Sequence, residues 1–84
     1  MPHWEYTVDV SDVFHNDELD LTSKRDQIVA TIRRNRWLKR SEYADELTGI
    51  LDELATVETV ADFDELWSQV YDIADADRAW IKTF

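Results

Sequence analysis

Trp4-Glu5-Tyr6-Thr7-Val8-Asp9-Val10 alternates a large apolar residue with a polar one along its whole length. Period-two alternation in aromatic and β-branched residues predicts a half-buried strand, with Trp4, Tyr6, Val8 and Val10 on the core face. Arg78-Ala79-Trp80-Ile81-Lys82-Thr83-Phe84 alternates in the same way at the other end of the chain. A lone strand leaves its backbone N–H and C=O groups without partners, so the two segments are expected to pair across the termini. The chain between them must then cover one face of that sheet.

That intervening chain reads as helices. Ser11 can cap a short turn carrying Val13 and Phe14, two apolar residues placed to plug the sheet–helix junction. His15-Asn16-Asp17 reads as a loop, and Glu18-Leu19-Asp20-Leu21 as irregular. Thr22 and Ser23 are both good N-cap residues, so a first helix is expected from Ser23 to about Arg36. Its apolar face is thin, with Ile28, Val29 and Ile32 beside Ala30. A second helix starts after Ser41, and Tyr43, Leu47, Ile50, Leu51, Leu54 and Val57 form its apolar stripe at helical spacing. Gly49 sits inside it at a cost of about 1 kcal/mol relative to Ala, which suggests that another backbone approaches there. Asp62-Phe63-Asp64-Glu65 resembles a capping box, with Asp62 as cap and Glu65 at the third helical position. The third helix then runs to about Ala74 and buries Phe63, Leu66, Trp67, Val70 and Ile73, with Tyr71 as a further candidate.

The expected fold is α+β in the order β-α-α-α-β. A three-helix core lies against a two-stranded sheet made by the N- and C-terminal strands, in one domain spanning residues 1–84. The alternative is a mainly α three-helix bundle. Trp4, Tyr6, Phe63, Trp67, Trp80 and Phe84 are expected in the core.

Composition narrows the function classes. The 84 residues include no cysteine and one glycine. Neither a disulfide nor a thiolate metal site is therefore available, and no glycine-rich phosphate loop can form. A nucleophile would need Ser or Thr activated by His3 or His15, which sit near a terminus and in a loop. Asp75-Ala76-Asp77 and His15-Asn16-Asp17-Glu18 are too generic to mark a metal site. No catalytic residue, metal or cofactor is expected, and the chain reads as a non-enzyme. No apolar run approaches the roughly 20 residues that span a bilayer. Met1-Pro2-His3-Trp4-Glu5 has no basic n-region, so a cytoplasmic location is the default.

Charge supplies the sharpest functional clue. The formal net charge is −10, yet residues 24–40 hold seven of the nine basic residues and one acid, Asp26. The remainder carries eighteen acids against Arg78 and Lys82. Excess carboxylate with only three lysines is also the composition of a salt-adapted proteome. Within the basic segment, Arg33, Arg34, Arg36, Lys39 and Arg40 surround Trp37, and these six residues form the candidate partner-binding site. Charge around an aromatic suits single-stranded nucleic acid. The helix that follows, however, carries Glu42, Asp45, Glu46, Asp52 and Glu53, and an acidic body repels phosphates. The bland alternative is that the arginines complement a helix dipole and pair with nearby acids, while Trp37 fills core. The acidic exterior is either simply solvated or presented to a basic partner surface by electrostatic steering. An accessory protein that binds and modulates a protein partner is the favoured function, with a nucleic-acid binder using residues 33–40 as the rival.

Asp75, Asp77, Arg78 and Trp80 form a second candidate patch. In its structural reading, Asp75 or Asp77 accepts hydrogen bonds from the turn backbone and Arg78 pairs locally. The run Tyr71-Asp72-Ile73-Ala74-Asp75-Ala76-Asp77-Arg78-Ala79-Trp80-Ile81 resembles the ending of small proteins encoded by actinobacterial phages and prophages. Trp4-Glu5-Tyr6 and the segment from Ile32-Arg33 to Arg36-Trp37 are also similar to theirs. The resemblance implies a phage source and assigns no activity or site residue.

Overall fold

The computed structural model describes residues 6–83. Strand β1 (Tyr6–Asp9) is followed by the short helix α1 (Ser11–Phe14), then α2 (Leu21–Arg34), α3 (Arg36–Arg40), α4 (Ala44–Leu54), α5 (Val60–Ala76) and strand β2 (Ala79–Lys82). The two strands pair, as the alternation requires, so the α+β reading holds and the helical-bundle alternative does not. They run parallel, in the register Tyr6↔Ala79, Thr7↔Trp80, Val8↔Ile81 and Asp9↔Lys82. Parallel strands need a long crossover connection, and here the five helices supply it. The expected positions Trp4, Glu5 and Phe84 lie outside the described residues.

The three longer helices supply most of the core. Helix α2 buries Ile28, Val29 and Ile32, α4 buries Leu47, Ile50, Leu51 and Leu54, and α5 buries Phe63, Trp67, Val70, Ile73 and Ala74. Phe14 packs against Phe63 and Trp67 at ring-centroid distances of 6.2 and 6.0 Å, closing the junction between sheet and helices. No charged or polar side chain is buried among the described residues. The radius of gyration is 12.1 Å.

Several expectations are corrected at the helix ends. Helix α2 is capped by Asp20, whose carboxylate accepts from the Ser23 N–H at 2.8 Å, so the helix starts before Thr22 and Ser23. It stops at Arg34 because Asn35 adopts extended backbone angles (φ −77°, ψ 143°). Helix α4 begins at Ala44 rather than beside Ser41, whose hydroxyl accepts from the Tyr43 N–H in the preceding turn. Tyr43 itself is exposed and leaves the apolar stripe. The cap of α5 is Thr59, whose hydroxyl accepts from the Asp62 N–H at 3.2 Å, so Asp62 lies in the first turn.

Two packing expectations also change. A Cβ built on Gly49 would meet nothing within 4 Å, so no backbone approaches there. In β2 the buried face is Ala79 and Ile81, and Trp80 on the opposite face is only half-buried. The bulk of Trp80 suggested the inward face. The smaller side chains Ala79 and Ile81 join the core instead.

Candidate functional site

The basic segment folds into the α2–α3 corner, and one residue organises it. Asn35 is at once the C-cap of α2 and the N-cap of α3. Its side-chain oxygen accepts from the Trp37 N–H at 2.8 Å, while its Nδ2 donates to the Thr7 carbonyl at 3.1 Å. The corner is thus tied to β1. An asparagine flanked by helix formers carries this N-cap signal, which the run of arginines around it conceals in the sequence.

Trp37 points inward. It is 0% exposed, against the expectation of partial exposure for a residue in a binding surface. Its indole Nε1–H donates to Asp77 Oδ2 at 2.8 Å. The Ser41 hydroxyl donates to the same oxygen. Asp77 is the C-cap of α5, so one carboxylate joins α3, the following turn and the end of α5. That arrangement corrects the sequence reading of Asp77 as a turn acceptor. A buried Trp requires a partner for its N–H, and this one finds it forty positions along the chain, beyond the reach of any local pattern.

The five cations of the corner remain at the surface, with Arg33, Arg34, Arg36, Lys39 and Arg40 all exposed. Arg33 forms an ion pair with Asp52 of α4. The other ion pair among the described residues, Arg25–Asp26 at 3.4 Å, lies outside the corner. Arg34, Arg36, Lys39 and Arg40 therefore present their charge outward. Arg34 in the last turn of α2 and Lys39 and Arg40 in the last turn of α3 complement the helix dipoles by roughly 0.3–1 kcal/mol each at most, whereas Arg36, expected in a last turn, opens α3 and does not. This gain does not consume their hydrogen-bonding capacity.

Beside the corner lies an open cleft of about 270 Å³, lined in part by Trp37, Arg40, Ser41, Glu42, Asp77 and Arg78. It joins the two segments that the sequence offered as separate candidates. Arg78 occupies the left-handed region at φ 58°, just past the end of α5. That position favours glycine, and a larger side chain costs roughly 1 kcal/mol there. No ion pair forms on Arg78 among the described residues, contrary to the local pairing expected of it.

The groove between the end of α4 and the start of α5 is lined by Glu53, Glu58, Asp62 and Glu65 among others. Among the described residues no group of three or more His, Asp and Glu is arranged to hold a metal ion. No helix of the described residues is long and apolar enough to cross a membrane.

Arg25 is a structural residue that the sequence reading passed over. Its guanidinium donates to the Val57 carbonyl and ties α2 to the α4–α5 connection. Comparison with known proteins adds no relative: no family model matches the chain, and neither a curated protein nor a solved structure does.

Proposed function

We propose that this chain is a small non-enzymatic accessory protein that binds and modulates a protein partner. An acidic segment of that partner docks on Arg34, Arg36, Lys39 and Arg40. The carrying observation is the exposure of these four cations at one corner, without carboxylate partners among the described residues, on a chain of net charge −10. The rest of the surface repels acidic molecules at long range, so productive encounters are confined to that corner. A rigid base supports this use, because Asn35 holds the corner to β1 and Asp77 holds it to α5. The setting is the cytoplasm, and the resemblance to small phage-encoded proteins suits an accessory role.

Nucleic acid is the less supported occupant. Trp37, the only aromatic in the segment, is buried and offers no stacking surface. Asp45 and Glu46 in the first turn of α4 place carboxylates in the helix that would have to enter a groove.

The test uses the full chain as bait in its native cell, beside a variant with Arg34→Gln, Arg36→Gln, Lys39→Gln and Arg40→Gln. The wild type should retain a protein in nuclease-treated extract, and the variant should lose it while melting normally at about 0.15 M salt. Equal retention by both baits, or retention abolished by nuclease, overturns the proposal.

A further inference from the structure

The geometry points to the cleft beside α3 as a receptor for a carboxylate side chain, gripped by Arg40 and Arg78, which both line it. This inference rests on the protein-docking reading and extends it to Arg78, a residue outside the basic segment.

Two arginines and two carboxylates, Glu42 and Asp77, line the same cleft. Opposite charges so placed ordinarily pair, yet no ion pair joins them among the described residues. Asp77 is engaged elsewhere, because its Oδ2 accepts from both the Trp37 indole and the Ser41 hydroxyl. Both guanidiniums consequently keep their donor forks available, and a planar fork matches a carboxylate in two parallel hydrogen bonds. Arg78 holds its place at φ 58°, where glycine would relieve the backbone, so the side chain is present at a local cost. Glu42 and Asp77 also set selectivity. They disfavour a dianionic phosphate more strongly than a single carboxylate, since repulsion scales with charge. Trp37 forms part of the cleft and is fixed by its bond to Asp77, so it reports directly on occupancy.

The experiment titrates the ¹⁵N-labelled full chain with hexaglutamate and follows the Trp37 indole Nε1–H resonance. Hexaglutamate should shift that resonance, and Arg40→Gln and Arg78→Gly should each weaken binding about tenfold, the loss of one charge-assisted contact. Arg78→Lys keeps the charge without the fork and should weaken it too. Arg78→Gly relieves the backbone and should fold at least as well as the wild type, which separates lost binding from lost structure. An unmoved Trp37 resonance overturns the inference. So does tighter binding of inorganic phosphate or oligothymidylate at the same residues. If Arg34→Gln and Arg36→Gln abolish hexaglutamate binding while Arg40→Gln and Arg78→Gly leave it unchanged, the cleft is excluded and the docking corner stands. If the cleft variants behave as expected but native capture does not depend on the corner, the docking reading fails instead.

Discussion

Asp77→Ala removes the one acceptor shared by α3 and the turn after it. Trp37 is 0% exposed, so its indole N–H, now at 2.8 Å from Asp77 Oδ2, would lose its protein acceptor. An orphaned buried donor costs about 1–3 kcal/mol. The Ser41 hydroxyl is half-buried and turns to solvent, adding a further loss of up to about 1 kcal/mol. The expected total is about 1–4 kcal/mol, and at about 4–8 °C per kcal/mol the melting temperature should fall by roughly 4–32 °C. Asp77→Asn keeps an acceptor oxygen and should cost less than half as much. Urea unfolding with unchanged slope measures the loss. A double-mutant cycle with Trp37→Phe should return a coupling above about 1 kcal/mol. A loss below about 0.5 kcal/mol for Asp77→Ala, or equal losses for Ala and Asn, would refute the hydrogen-bond argument.

Gly49→Ala should stabilise the domain by up to about 1 kcal/mol, measured as a raised urea midpoint, because the position is mid-helix with open space around a new Cβ. Leu47→Ala and Leu54→Ala, both at 0% exposed sites, should each cost about 2–5 kcal/mol in the same assay. Asp20 has its carboxyl held below the ordinary range by hydrogen bonds from the Ser23 backbone and side chain. A depressed value means that its contribution is present above about pH 4 and is lost as pH falls through the folded-state value. Asp20→Ala should accordingly be destabilising at neutral pH, and the gap to wild type in thermal melts should close below about pH 4.

Patterns with a short period were legible in the sequence. Val8 and Val10 alternate inward as expected, and the stripe of Leu47, Ile50, Leu51 and Leu54 lies buried as its spacing requires. Helix ends were less so, because Thr22, Ser23, Ser41 and Asp62 are all competent caps and local chemistry does not choose among neighbours. Trp80 was misassigned for a different reason. Both faces of a four-residue strand carry apolar residues there, and it is Ala79 and Ile81 that are buried. The position of the basic corner was visible in the charge pattern. The inward turn of Trp37 was not, because its partner Asp77 is brought close only by the tertiary fold. The cleft that unites Arg40 with Arg78 depends on the same long-range packing.

Lys39 allows the central claim to be tested by its own chemistry. It is exposed among the docking cations, and a zero-length carbodiimide reaction joins an amine only to a carboxylate it already touches. In the complex recovered with the native partner, the account predicts an amide bond between Lys39 and an Asp or Glu of that partner, suppressed by high salt. A set of cross-links running the other way, from carboxylates of this chain around Glu53, Glu58, Asp62 and Glu65 to lysines of the partner, with Lys39 unmodified, would contradict it.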